Sequence, residues 1–297
     1  MRVSVVGIGT WQFGGEWGKE FKQSEVDAMF AEASDLGINL IDTAACYGDH
    51  LSEKLIGNAV AGRRENWIVA TKFGHKFHRL FERDYAYAPD FIQSQLEDSL
   101  RALQTDYIDL YQFHGGSDEL FDTAGLWDML RDQVRAGKVR HLGISISKTY
   151  EGTHQIDTAS DLGARAVQVV YNRLDRRPED YTFNGCLEQD LGVLARVPLA
   201  SGFLTGKYNR DSEFSESDVR GVWFNRQQRS EIIEQVNQIR QEVPDGVPMA
   251  QWALAWPLQH PAVTCVIPGC KSVEQIRANA SAADLQMVRS DHPQATT

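Results

Sequence analysis

The chain has 297 residues, 42% hydrophobic and 24% charged, the balance of an ordinary globular protein with a sizeable core. Its net charge of −11 and pI ≈ 5.2 exclude non-specific binding to nucleic acid or to an anionic membrane surface, while leaving room for a local basic pocket that takes a phosphate. Cys46, Cys186, Cys265 and Cys270 are scattered with no C-x-x-C pair, which excludes a zinc ribbon or a disulfide framework and fits a reducing cytoplasm.

In chain order, residues 3–9 read as a first short strand without the apolar stretch of a secretion signal. No run of about 18 apolar residues follows that would cross a membrane. A helix is expected over 24–36, with Ser24 as N-cap before Val26 and Met29, and with Gly37 in the left-handed cap position. Strand 39–42, helix 51–60, strand 67–72 and helix 89–103 come next. Leu96, Leu100 and Leu103 repeat at helical spacing and face a core. Strand 107–113, helix 120–136, strand 139–145, helix 153–161 and strand 166–171 continue the alternation. A very short helix at 188–191 precedes strand 192–199. The polar segment 208–225 reads as a long loop of the kind that forms lids. Helices 230–242 and 248–260, strand 263–267 and helix 272–282 complete the pattern, and residues 288–297 read as a flexible tail.

Eight apolar strands alternating with helices specify an α/β protein with a parallel sheet. Eight is also the number that closes a (β/α)8 TIM barrel, here one domain over residues 1–287. The doubly wound alternative needs a glycine-rich phosphate turn after the first strand. "GIGTWQFGG" supplies Gly7 and Gly9 but has Gln12 where the third glycine belongs.

In a barrel, chemistry gathers at the C-terminal ends of the strands. The second strand ends at Asp42, with Tyr47 in the following loop. The third ends at Lys72 and the fourth at His114. Taken singly, Asp42 suits a helix start, Tyr47 a packing site, Lys72 a rim and His114 a satisfied core position. Together, on adjacent strand ends, they make a proton-transfer set. A phenol is a poor acid at neutral pH, and a nearby ammonium is expected to lower its pKa. Asp42 would hold Lys72 charged, Tyr47 would give a proton to a substrate oxygen, and His114 would orient that oxygen. His75 and His78 have ligand-like spacing, but with no third ligand in view they read as loop residues. Trp11, Trp17, Phe77, Trp223 and Phe224 are candidates for an apolar substrate pocket.

Asp42, Tyr47, Lys72 and His114 resemble the Asp-Tyr-Lys-His tetrad of the aldo-keto reductases, NAD(P)H-dependent (β/α)8 barrels. The likeness runs along nearly the whole chain. "GIGTW", with Gly9, Thr10 and Trp11, resembles the family's first strand end. "VQVVYN" at 167–172 resembles its nicotinamide-amide strand, "PLASGFLTGKY" at 198–208 its pyrophosphate loop, and "IPGCKSVEQIRAN" at 267–279 its adenosine-phosphate segment. The resemblance implies that Ser145 and Gln168 hold the carboxamide. It also implies that Pro198, Leu199, Ser201, Leu204 and Lys207 line the pyrophosphate. Gly269, Lys271, Ser272, Gln275 and Asn279 would then hold the adenosine end. Lys271 with Ser272 suits a 2′-phosphate and so NADPH, although NAD stays open because many relatives have Arg where Gln275 falls.

Two departures stand out. Ile146 replaces an expected Asn, at the cost of one carboxamide hydrogen bond, and Arg196 replaces a ring-stacking Tyr, where its planar guanidinium would lie on the nicotinamide. Only Met1 and Arg2 precede the first strand where many relatives have a plugging hairpin, so the barrel floor is expected to be sealed another way or left partly open. The implied reaction is reversible reduction of a small carbonyl compound to an alcohol. A class I aldolase-like barrel using Lys72 in a Schiff base, or a cofactor-binding sensor with weak turnover, are the alternatives. Neither a nucleic acid nor a membrane is expected as partner, and the oligomeric state is left open.

Overall fold

The computed structural model describes residues 1–147 and 153–288. The strands are β1 (Ile8–Gly9), β2 (Leu40–Asp42), β3 (Ile68–Phe73), β4 (His75–Arg79), β5 (Glu82–Tyr85), β6 (Ile108–His114), β7 (Val139–Ser145), β8 (Ala164–Val170), β9 (Gly192–Arg196) and β10 (Val263–Ile267). All but β4 and β5 form one eight-stranded sheet in chain order, with every neighbour parallel. The last strand meets the first through parallel bridges Val6–Val266 and Gly9–Gly269. Backbone bonds from Gly7 N–H to Val266 O (2.8 Å) and from Val266 N–H to Val5 O (2.9 Å) close the ring. The expected TIM barrel is therefore present.

Helices cover the outside: α1 (Gln23–Asp35), α2 (Leu51–Ala59), α3 (Pro89–Leu103), α4 (Asp118–Phe121), α5 (Leu126–Arg135), α6 (Thr153–Asp157), α7 (Thr182–Glu188), α8 (Val219–Trp223), α9 (Arg226–Ile239), α10 (Met249–Ala255) and α11 (Val273–Ala280). Period-two alternation sorts each strand between two environments. Ile41, Val69, Ile144, Val167, Val193 and Val266 join the large core beneath the helices. Leu40, Ala70, Leu110, Ala166, Leu194 and Cys265 form a separate cluster inside the barrel. Val3 belongs to that inner cluster. Ser4 N–H donates to Asn39 Oδ1 at 2.7 Å, and Asn39 Nδ2 donates to Arg2 O at 3.1 Å. Val3 thus packs inside the barrel, and its neighbours are tied to Asn39 just before β2.

Several expected boundaries move for identifiable reasons. The first helix starts at Gln23, and its entry is closed by Glu25, whose carboxylate accepts Lys22 N–H at 2.9 Å, rather than by Ser24. The helix expected over 120–136 is two helices, broken at Gly125 with φ 77°. The short helix expected at 188–191 lies earlier, over Thr182–Glu188, and Asp190 takes φ 54° just after it. After α10 the chain tightens at Pro257, which lacks the N–H a continuing helix needs. The segment 208–225 is not all loop: it contains α8, capped by Asp218 Oδ1, which accepts Arg220 N–H at 3.0 Å. The hairpin β4–β5 was not expected at all. Val288 packs on the main core, and the rest of the expected tail lies outside the described residues. Among the described residues no helix is long and apolar enough to cross a membrane.

Candidate active site

The inward-facing positions change character at the C-terminal rim. One pleat above Leu40, Ala70, Leu110 and Ala166 come Asp42, Lys72, Gln112 and Gln168, all buried. They make one polar layer. Lys72 Nζ donates to Asp42 Oδ2 at 2.8 Å and to Thr43 O at 2.7 Å. Gln168 Nε2 donates to Asp42 Oδ1 at 2.6 Å and lies 3.4 Å from Gln112 Oε1. A buried ammonium needs such partners, since transfer of an unpaired charge from water is prohibitive. Burial lowers the lysine pKa and the Asp42 charge opposes that fall.

Tyr47 sits above this layer in the loop between β2 and α2, only 9% exposed. The Lys72 ammonium is 5.2 Å from its ring centre. Trp11 stacks on it at 6.0 Å and 25°, and His114 meets it edge-on at 6.0 Å and 78°. The four residues picked from strand ends therefore meet at one pole. Two close backbone approaches set the loop. Gly48 has φ 65°, and a Cβ there would lie 2.8 Å from Gly14 O; a Cβ on Gly14 would lie 2.8 Å from the carbonyl carbon of Tyr47. Thr10 Oγ1 adds a 2.9 Å bond to Asp42 O.

One electrostatic expectation is overturned. The Tyr47 pKa is pushed well up, first by burial and then by the charge of Asp42, with Arg196 and Arg83 pulling the other way. The Lys72 ammonium, committed to Asp42 and Thr43, does not outweigh burial and the Asp42 charge in the free protein. Tyr47 is accordingly a neutral phenol that keeps its proton. His114 is held well below the usual imidazole range by burial, with the nearby His75, Lys72 and Arg83 adding to the effect, and so is uncharged.

The β4–β5 hairpin brings residues that the strand-end argument did not find. His75 stacks on His114 with ring centres 4.2 Å apart. Arg83 Nη1 lies 3.3 Å from Cys46 Sγ, and its Nη2 donates at 3.0 Å to the fully buried Glu16, which also accepts from Trp11 Nε1. The alternation of "HKFHR" and "ERDY" is a strand signal. The two-residue turn Leu80–Phe81 hides it, since Phe81 takes φ 66° without the Gly or Asn that announces such a turn.

The remaining candidates are distributed around the same rim. Ser145 is buried at the end of β7, opposite Gln168 in register. Arg196 ends β9 and donates to Ile146 O at 3.0 Å. After Pro198 and Leu199 the chain turns through left-handed Ala200 and Ser201; Leu204 is fully buried in a satellite core with α9 and α10. Ser272 caps α11, accepting Gln275 N–H at 3.3 Å, while Gln275 Oε1 accepts Lys271 N–H at 2.8 Å; Asn279 is buried on the same helix. Gly9 bridges Gly269. Of the aromatic candidates, Trp11, Trp17 and Trp223 cluster, with Trp223 5.1 Å from Trp11 and half exposed. Phe224 instead packs edge-on against Phe203 in the satellite core, and Phe77 lines a side pocket with His50, His75 and Gln95.

The rim fits an extended phosphorylated cofactor on two observations. Burial and the like charges of Arg220, Lys207 and Lys19 lower the Lys271 pKa against the opposing charge of Asp218, gathering four cations in a chain of net charge −11. Beside it, the Gln12 side chain fills the space over Gly269, and its buried Oε1 has no hydrogen-bond partner.

The aldo/keto reductase family model matches residues 5–296. The NADP(+)-labelled aldo-keto reductase yakc of Schizosaccharomyces pombe is 29% identical over 96% of this chain and 85% of its own length. The NADH-specific methylglyoxal reductase of Escherichia coli is 28% identical over 97% and 92%. Among solved structures, the holo form of aldo-keto reductase AKR11C1 from Bacillus halodurans superposes with a TM-score of 0.81 at 28% identity, covering 99% of this chain and 91% of that one.

Proposed function

The chain belongs to the aldo/keto reductase family of oxidoreductases, and from that premise we propose that it reversibly reduces an aldehyde or ketone to an alcohol, with Tyr47 as proton donor and NADPH as the preferred cofactor. The observation that carries the reading is the convergence of Tyr47, His114 and the Asp42–Lys72 pair at one barrel pole.

When bound, the nicotinamide cofactor supplies hydride to the carbonyl carbon. The chain's own residues handle the oxygen. Tyr47 presents a neutral phenol, so the proton is in place before charge develops. As an alkoxide forms, its proton affinity exceeds that of the phenol and the proton moves to the substrate oxygen. The phenolate left behind lies among Lys72, Arg196 and Arg83, whose positive charges offset the burial that disfavours it. Neutral His114 has Nδ1 turned toward Cys46 Sγ, and with the proton on Nε2 the ring would orient the oxygen as a donor. Trp11 and Trp223 form an apolar wall that excludes water. The NH2 of Gln168 is committed to Asp42, so its amide oxygen would meet the carboxamide beside Ser145. Arg196 would lie against the ring. Leu199, Ser201 and Lys207 would line the pyrophosphate, and Lys271 with Ser272 would take the 2′-phosphate. Four buried free thiols suit a cytoplasmic enzyme.

The Schiff-base alternative needs a free, neutral Lys72 amine. Its two short bonds to Asp42 and Thr43 count against that. A binding-only sensor would share the rim but not the turnover.

A panel of small carbonyl compounds, followed by NADPH absorbance, tests the reading. Tyr47→Phe is expected to lose about 10²–10⁴ in kcat with near-normal cofactor binding. Wild-type turnover in that variant overturns the proton-donor role. Lys271→Ala is expected to weaken NADPH at least about tenfold while sparing NADH. Equal loss for both cofactors overturns the 2′-phosphate assignment.

A further inference from the structure

Three donor atoms that the proposed reaction does not jointly use meet at the rim. Cys46 Sγ lies 3.7 Å from His75 Nδ1 and 3.7 Å from His114 Nδ1. One ligand atom from each of the three residues lies within 4.8 Å of the others. Tetrahedral bonds of about 2.3 Å to sulfur and 2.0–2.1 Å to nitrogen require sulfur–nitrogen separations of about 3.5 Å. Both observed separations are within a few tenths of an ångström of that value. The three residues come from three different segments: Cys46 from the loop after β2, His75 at the start of β4 and His114 at the end of β6.

We propose that Cys46, His75 and His114 form a binding site for a thiolate- and imidazole-preferring transition metal ion, Zn2+ by chemistry, and that the bound ion inhibits the enzyme. A Cys-His-His set is soft enough to prefer zinc-like ions over Mg2+ or Ca2+. It leaves the fourth position to water. Two adjustments accompany binding. The imidazoles are now stacked with 13° between planes, so one ring turns to aim its lone pair at the ion. His75 is the ring suited to this, since its buried Nε2 has no hydrogen-bond partner to hold it. Arg83 withdraws from Sγ toward Glu16, which already holds its other nitrogen. As the metal–sulfur bond forms, the thiol proton leaves to solvent. The ion then engages His114 and draws it away from the substrate oxygen. His78, the spacing partner of His75 in the sequence, faces outward to Asp84 at 2.7 Å and takes no part.

The inhibitory half rests on the orienting role proposed for His114; the metal site does not. Co2+ titration of the full chain, without substrate or cofactor, reads the site alone. The expected result is one equivalent bound, with intense tetrahedral d–d bands and a thiolate-to-cobalt charge-transfer band. Cys46→Ser is expected to lose the charge-transfer band, and His75→Ala to weaken Co2+ binding at least about tenfold. Absence of the charge-transfer band in the wild type, or its survival in Cys46→Ser, overturns the site. In turnover assays Zn2+ is expected to inhibit the wild type and to inhibit His75→Ala at least about tenfold less strongly. Equal inhibition of both overturns the inhibitory role, whereas the Tyr47→Phe result stands independently.

Discussion

Neutralising Asp42 or Lys72 tests the electrostatic base of the site. The two side chains are 7% and 1% exposed, with Nζ and Oδ2 2.8 Å apart. At an effective dielectric constant of about 20, that separation corresponds to a gross attraction of about 6 kcal/mol. Desolvation of both charges offsets much of it, so the pair is close to neutral for stability as a whole. Removing one partner is different, because it leaves the other buried and uncompensated. Asp42→Asn and Lys72→Met are each expected to cost about 3–5 kcal/mol in urea unfolding at neutral pH. The double variant is expected to be more stable than either single one, giving a coupling energy of at least about 3 kcal/mol. Lys72 also fixes a pH signature. Its folded pKa lies below the unfolded value, so the unfolded chain binds more protons between the two and stability rises with pH across that interval. Loss of Asp42 lowers the folded value further, so the Asp42→Asn deficit shrinks as pH rises toward the unfolded lysine pKa. Additive single effects, or a deficit independent of alkaline pH, refute the reasoning.

Acid sensitivity follows from the two neutral imidazoles. His75 is pulled down to about 3, chiefly by burial, and His114 well below its usual range for the same reason. The unfolded chain therefore gains protons first as pH falls through about 6.5, and each histidine removes up to about 1.4 kcal/mol of stability per pH unit below that point until its folded pKa is reached. His75→Gln is expected to flatten the acid limb of a Tm-against-pH curve, and an unchanged slope contradicts the assignment. Gly74 joins β3 to the hairpin with φ +103°, and a Cβ there would lie 1.9 Å from the Tyr87 ring. Gly74→Ala is expected to cost about 3 kcal/mol or more through backbone strain and overpacking, read by urea unfolding. A loss under about 1 kcal/mol contradicts it. Trp223→Ala, which opens the exposed side of the Trp11 wall, is expected to raise KM for bulky apolar carbonyls more than for the smallest ones. A uniform change across the series refutes that contact.

The sequence by itself determined the eight barrel strands, their parallel order and the pole at which chemistry collects. Those features are written in local periodicity: each strand carries an apolar run, and the inward series Leu40–Asp42, Ala70–Lys72 and Leu110–Gln112–His114 changes from apolar to polar at the rim. Tertiary structure alone decided what those groups do to one another. The Tyr47 pKa depends on how deeply the ring is buried and on the Asp42 charge brought beside it, and neither is a property of spacing. The Cys46–His75–His114 cluster and the Arg83–Glu16 pair depend on the hairpin folding across the barrel mouth, and that hairpin turns at Leu80–Phe81 without a glycine or asparagine to mark it. Neighbour-range patterns fix secondary structure because they act along the chain. Desolvation, and charge pairing between residues 30 and 67 positions apart, act through space and exist only once the ring of strands has closed.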